Sequence, residues 1–168
     1  MDHKQLERQQ RGEDFQNELR RSWRLVSNCW RMRVADGRGG ARPGDEIILL
    51  KDANILGEHK RTTGDRFEFS FLEVNQVKGL LDFDQVIDRN VGLVFVSFLN
   101  DAVGRDLAIT FRLALAMQYM QRMGRRYITI DEFKKEVIPC LWLPRIQLEK
   151  GPGYDLKGVN YATNTFKP

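Results

Sequence analysis

The chain has 168 residues, 42% of them hydrophobic, enough for one domain to bury its own core. A formal charge of +4 and a pI of about 9.2 make it mildly basic, a balance that suits a polyanionic partner without requiring one. No apolar run approaches the ~20 residues of a membrane span, and two cysteines with no Cys-x-x-Cys spacing argue against a disulfide framework or structural zinc. With a polar N-terminus and no signal-peptide core, a cytoplasmic protein without a membrane partner is expected, with Cys29 and Cys140 as reduced core thiols.

Residues 1–11 are polar and read as a mobile arm or a frayed helical extension. Phe15, Leu19, Trp23 and Val26 recur at helical spacing and predict an amphipathic helix from Gly12 to about Ser27. Cys29, Arg31 and Arg33 alternate with Trp30, Met32 and Val34, the pattern of a strand with one apolar face. Asp36 to Gly44 contains four glycines and a proline and predicts a loop. Asp45–Leu50 and Asn54–Lys60, joined by Lys51-Asp52-Ala53, predict a β-hairpin whose first strand, apolar on both faces over Ile47–Leu50, lies inside a covered sheet.

Phe67, Phe69 and Phe71 alternate with polar residues and read as a further extended piece whose rings face the core. Glu73 to about Phe83 predicts a helix with Val74, Val77, Leu80 and Leu81 on one side, and Gly92–Leu99 a buried strand. Leu107–Phe111 predicts a strand that runs into a helix carrying Leu113, Met117 and Met120 and ending at Gly124. Thr129 and Glu132 have the spacing of a capping box for a helix Thr129 to Val137, which Pro139 stops. Residues 150–168, rich in Gly, Asn, Thr and Pro, predict an extended, loosely packed strap. Without a repeat or a second domain, residues 1–168 read as a single domain, an α/β sandwich around a mixed sheet.

The hairpin carries the chemistry. If its turn is centred between Asp52 and Ala53, Asp45 lies opposite Lys60 with Glu58 diagonally across, and all three side chains leave one face. Asp45 and Glu58 offer hard oxygen ligands to Mg²⁺, and the backbone carbonyl of His59 offers a third. Lys60 would orient or deprotonate water and offset phosphate charge. Phosphodiester hydrolysis fits these groups, although an Asp followed by Glu-x-Lys also describes an ordinary solvated hairpin. Nearby, seven arginines lie between Arg20 and Arg42 with Asp36 as the only acid, and arginine suits phosphate because its planar fork donates two hydrogen bonds.

With those residues identified, the chain resembles the RecU family of Holliday junction resolvases, and more distantly the archaeal Hjc resolvases, both within the PD-(D/E)xK nuclease superfamily. Asp45, twelve intervening residues and then Glu58-His59-Lys60 resemble the RecU core. Thr62-Thr63, the aromatic stretch Phe67–Leu72 and Gln76 are similar to the family's segment after that lysine. Gly124-Arg125-Arg126, Ile130-Asp131-Glu132-Phe133 and Pro144-Arg145-Ile146 are similar to its C-terminal third. The resemblance implies a restriction-endonuclease-like core, a mixed β-sheet flanked by helices. It also implies a homodimer in a bacterial or phage-infected cell that nicks a four-way DNA junction symmetrically with Mg²⁺ or Mn²⁺. On that reading Asp45 and Glu58 bind metal, Lys60 acts on water, and Gln76 holds catalytic groups or the scissile phosphate, an ordinary polar helix position being the alternative. Candidates for DNA contact are Arg31, Arg33, Arg38, Arg42, Arg61, Thr62 and Arg145.

The chain departs from the family twice. The family's N-terminal helix carries a Glu where this chain has Gln16, so Glu13 or Glu18 is expected to replace it, Glu13 being one helical turn away. The family's long stalk before the catalytic Asp is replaced by about ten loop residues, 35–44. Other readings therefore stay open: a related nuclease acting on duplex, flap or single-stranded DNA, a non-catalytic DNA-binding module, or an unrelated RNA-binding protein.

Overall fold

The computed structural model describes residues 3–35, 42–161 and 165–166. Helix α1 (His3–Trp23) leads into strands β1 (Trp30–Arg33), β2 (Glu46–Leu49), β3 (Asn54–Thr62) and β4 (Arg66–Glu68), then helix α2 (Val74–Asp84). Next come strands β5 (Asn90–Asn100) and β6 (Arg105–Arg112), helix α3 (Leu113–Arg122), β7 (Tyr127–Thr129) and α4 (Ile130–Lys134). The chain closes with β8 (Cys140–Trp142), β9 (Arg145–Leu148) and β10 (Gly151–Tyr154). Six strands form one mixed sheet in the order β1-β2-β3-β5-β6-β8, while β4 pairs with β7 and β9 with β10 in two small ribbons. Only β3 and β5 run parallel within the large sheet, which is why a helix, α2, must connect them.

The alternation of strand side chains divides the core into two layers. On one face Phe15, Leu19 and Trp23 of α1 pack on Ile48, Ile55 and Phe95. On the other, Leu80 of α2 and Leu113 and Ala116 of α3 pack on Leu56, Val94, Val96 and Phe111. Helices cover both faces of β5, which accounts for its unbroken apolar run.

The structure differs from the sequence-based expectations where flanking contacts override periodicity. Helix α1 starts at His3, because the polar segment before Gly12 is rich in good helix formers and is linked forward by Gln9–Glu13 and Gln10–Asp14 hydrogen bonds. It ends at Trp23 rather than Ser27. Strand β1 is the sheet edge, so its apolar face is open, with Trp30 54% exposed. Phe67 is buried in β4, but Phe69–Phe71 form a 3₁₀ turn rather than more strand. Helix α4 keeps the capping box yet stops at Lys134, and Glu136 has a positive φ of 54°.

The tail is not loose. Tyr154, Leu156, Val159 and Phe166 are buried beside α1, the Tyr154 amide donates to Ser22 Oγ at 2.7 Å, and Arg21 donates to the Pro152 carbonyl. Each buried aromatic ring of this kind contributes about 1.5–3 kcal/mol. Cys29 and Cys140 are free and half-buried, and burial pushes the Cys140 thiol up to about 11. Among the described residues no helix is long and apolar enough to cross a membrane.

Helix α2 sits on β5 at backbone contact. A Cβ on Gly92 would lie 2.5 Å from the Leu80 carbonyl oxygen. Gly92→Ala is therefore expected to lower stability by about 1–3 kcal/mol through overpacking, read as a fall in thermal midpoint; an unchanged midpoint would show that α2 can retreat freely.

Candidate active site

The hairpin β2–β3 pairs Glu46 with Gly57 and Leu49 with Asn54, and the Asp45 amide donates to the Gly57 carbonyl at 2.8 Å. Extending that register by one residue sets Asp45 opposite Glu58, not opposite Lys60 as a turn centred between Asp52 and Ala53 predicts. The shift of two residues preserves parity, so Asp45, Glu58 and Lys60 still share the face covered by α2. Asp45 Oδ2 accepts a 2.8 Å hydrogen bond from the His59 amide. In a strand the N–H and C=O of one residue point to the same side, so the His59 carbonyl also faces Asp45.

Glu58 is only 1% exposed, and its Oε1 accepts from Gln76 Nε2 and from Lys60 Nζ, each at 2.7 Å. Gln76 is the third residue of α2. Its Oε1 accepts from the Glu73 amide at 2.9 Å, closing the helix's capping box, and from Lys60 Nζ at 3.2 Å. One side chain thus caps the helix N-terminus and holds both Glu58 and Lys60. The other Glu58 oxygen, Oε2, is buried without a hydrogen-bond partner among the described residues. Burial, followed by the charge of Asp45, raises the Glu58 pKa despite the opposing pull of Lys60.

Helix α2 also steadies the chain entering Asp45. Asn75 Nδ2 donates to the Arg42 carbonyl at 2.6 Å, and a Cβ on Gly79 would meet Pro43 at 2.4 Å. Arg42 itself reaches toward the site, with Nη1 3.6 Å from Asp45 Oδ1. Arg38 lies outside the described residues. From α1, Gln16 Nε2 donates to Asp45 Oδ1 at 3.3 Å. Gln16 itself, then, and not Glu13, is what α1 brings to Asp45: Glu13 is exposed and accepts from Gln9.

Glu18 and Arg61 lie on the opposite face of the sheet. Arg61, expected at a DNA surface, has a side chain only 3% exposed; it pairs with Glu18, donates to Ser97 Oγ at 3.0 Å and stacks over Phe15 at 5.1 Å. Odd-numbered β3 residues point toward α1, and this parity separates Arg61 from Lys60. Arg145 joins the cluster, donating to Glu18 and to the Tyr154 hydroxyl at 2.6 Å, while 30% of its side chain remains exposed. Thr62 is half-buried and accepts from the Gly64 amide, Arg33 is exposed, and Arg31 pairs with Glu46 at 2.9 Å.

Two groups that the sequence pattern does not single out, Glu46 and the His59 ring, complete the surroundings of Asp45. Behind it, on the α1 side, Glu46 accepts from Trp23 Nε1 at 3.1 Å and pairs with Arg31, and His59 Nε2 lies 2.9 Å from Glu46 Oε1. The His59 ring packs edge-on against Phe95 and Phe15. Burial pulls the His59 pKa down, but the Glu46 carboxylate, with Asp45 and Glu58, outweighs it and the net shift is upward. Burial likewise favours protonated Glu46, yet His59 and Arg31 hold its pKa at about 2. The signal in the sequence is parity: Glu46 and His59 alternate out of phase with Asp45, Glu58 and Lys60, and they meet Arg31 on the reverse face.

No family model matches the chain, and no curated protein matches it. Its six-stranded mixed sheet flanked by helices is an α/β architecture shared with a solved structure. The solved structure of Hjc, a Holliday junction resolvase from the archaeal hyperthermophile Archaeoglobus fulgidus, is similar over 74% of this chain and 93% of that one, with 16% identity and a TM-score of 0.52. At that identity the likeness establishes the fold.

The ion pair fixes the sign of the pH response. Glu46, with a folded pKa below its unfolded 4.5, stabilises above about 4.5 and loses that contribution as pH falls toward about 2; His59, raised above 6.5, stabilises below 6.5 and loses it as pH rises through its folded pKa. Glu46→Gln should flatten the acid limb of a stability profile between about pH 4.5 and 2, and an acid limb identical to wild type would show the pair to be inert. Glu58→Gln should instead raise the thermal midpoint of metal-free protein near neutral pH, because it removes a buried charge beside Asp45; a lowered midpoint would mean that the Lys60 pair outweighs that burden.

Proposed function

We propose that this protein is a metal-dependent DNA endonuclease, acting on four-way junctions as a RecU-like resolvase. The observation that carries this reading is the Glu58–Lys60–Gln76 knot set opposite Asp45, on a sheet whose fold is shared with a Holliday junction resolvase.

Among the described residues no three His, Cys, Asp or Glu side chains gather as a metal cage. That suits Mg²⁺ or Mn²⁺, for which one or two carboxylates and a carbonyl suffice because the ion keeps several waters. The unpartnered Glu58 Oε2, Asp45 and the His59 carbonyl are the oxygen donors of this site, and an unsatisfied buried carboxylate oxygen beside a second carboxylate is what a cation would relieve. Bound there, the ion supplies Lewis acidity toward a phosphodiester and its attacking water. Lys60, held by Glu58 and Gln76 with its ammonium partly open to solvent, positions that water and offsets charge on the phosphoryl oxygens. Gln76 fixes both groups, and its truncation is expected to lower cleavage about 10–100-fold, as loss of an outer-shell partner does.

Of the arginines expected at the DNA surface, Arg33 is exposed on the edge strand β1, Arg42 lies beside Asp45, and Arg145 keeps 30% of its side chain exposed while it holds Glu18. Two symmetric nicks across a junction require two copies of the site, so the protein acts as a homodimer. Residues 35–44, of which 36–41 lie outside the described residues, stand in sequence where the family has its stalk, and junction entry falls to that stretch or to the N-terminal arm.

The test is cleavage of a labelled four-way junction beside a linear duplex of the same sequence, with Mg²⁺ and with chelator. Paired nicks on the junction that disappear with chelator and fall at least ~100-fold in Asp45→Asn, with DNA affinity retained, are expected. Cutting at the wild-type rate by Asp45→Asn would sink the metal assignment; equal cutting of both substrates would keep the chemistry and discard junction preference.

A further inference from the structure

Helices α2 and α3 leave a groove between them, on a different face of α2 from Gln76. It consists of two adjoining cavities that share Phe69 and Arg126: one of about 170 Å³ lined also by Met117 and Met120, the other of about 460 Å³ lined also by Val77 and Leu81. The larger lies within the ~300–1,000 Å³ typical of ligand clefts.

Arg125 and Arg126 line the groove, and through Arg125 it adjoins further guanidinium–aromatic stacks. Arg126 lies over the Phe69 ring at 4.9 Å, Arg66 and Arg125 each lie 4.6 Å from the Tyr127 ring, and Arg122 covers Tyr119 at 5.6 Å. Phe69 can serve this way because the 3₁₀ turn takes its ring out of the strand alternation that buries Phe67, and because its amide is tied to the Arg126 carbonyl at 2.9 Å. Arg66, Lys78 and Arg125 are balanced by Glu68, Asp82 and Glu132. Arg122 and Arg126 are exposed and have no carboxylate partner among the described residues.

We propose that this groove binds single-stranded DNA, with bases stacking on the Arg126–Phe69 platform and entering the apolar cavities, and Arg122 and Arg126 neutralising phosphates. Alternating aromatic and guanidinium planes along a cationic rim are what sequence-tolerant single-strand binding uses. An apolar peptide or a second copy would fill the cavities but strand two unpaired guanidinium groups at a dry interface, whereas a nucleic acid supplies both the flat ring and the counter-charge. The inference rests on the reading of the protein as a DNA nuclease: the strand it holds runs behind α2, separate from the phosphate presented to Glu58 and Lys60.

The test is fluorescence anisotropy with a labelled oligothymidylate about 12 nucleotides long and with a labelled duplex, in chelator. Wild type is compared with Arg126→Ala, Arg126→Lys and the double variant Arg122→Ala/Arg126→Ala, with thermal melts to check folding. Each variant should weaken oligothymidylate binding about 10-fold or more while duplex affinity changes less than about 3-fold, and Arg126→Lys should not rescue, because an ammonium cannot replace the planar stack. Unchanged oligothymidylate affinity, an equal loss for both DNAs, or rescue by lysine would overturn the proposal, as would variants that dissociate a dimer without touching oligothymidylate binding. Junction cleavage run alongside separates the two readings: selective single-strand loss in a protein that cuts nothing keeps the groove and removes the nuclease, and cleavage with unaltered oligothymidylate binding does the reverse.

Discussion

The site depends on one carboxylate held where it is costly. Glu58 sits in the sheet's interior layer, and its charge is tolerated because Gln76 and Lys60 both bond the same oxygen. Gln76 is at the N-terminal turn of α2, so the bond that fixes Glu58 also fixes where α2 begins and, through Asn75 and Gly79, where the loop before Asp45 runs. Helix and hairpin are locked to each other through a single amide, and the loop is held by the residues beside it on the helix. Because that amide uses its oxygen on Glu73 and Lys60 and its nitrogen on Glu58, its orientation is determined by the network.

A second polar layer lies on the reverse of the same strand. Glu46, His59, Arg31 and the Trp23 indole form one cluster, and Glu18, Arg61, Arg145 and Tyr154 form another. Both connect α1 to the sheet, and the second also binds the C-terminal hairpin. Buried ion pairs contribute little net stability over apolar packing, but removing one partner leaves the other uncompensated. Their consequence here is geometric: His59 donates its amide to Asp45 while its ring is anchored to Glu46, so the cluster behind β3 sets the backbone that faces the carboxylates.

Long periodic segments were legible without coordinates: the Phe15–Leu19–Trp23 stripe, the β2–β3 hairpin, the buried strand β5 and the Thr129 capping box all occur where their patterns place them. Asp45, Glu58 and Lys60 were legible as a set because period-two alternation survives an even shift in register. What composition concealed was decided by long-range contacts. The tail lacks periodicity yet contributes Tyr154, Val159 and Phe166 to the core, because burial there depends on α1 rather than on neighbours in sequence. Arg61 reads as a surface cation until the parity of β3 turns it inward, and the value of Gln16 appears only when α1 is laid across the start of β2.

The central claim is that Asp45 and the free oxygen of Glu58 share one divalent cation. Anomalous diffraction from crystals grown with Mn²⁺ tests it most directly. The account predicts a single strong peak within bonding distance of Asp45, Glu58 Oε2 and the His59 carbonyl; a peak elsewhere, with none between these oxygens at saturating Mn²⁺, would contradict it.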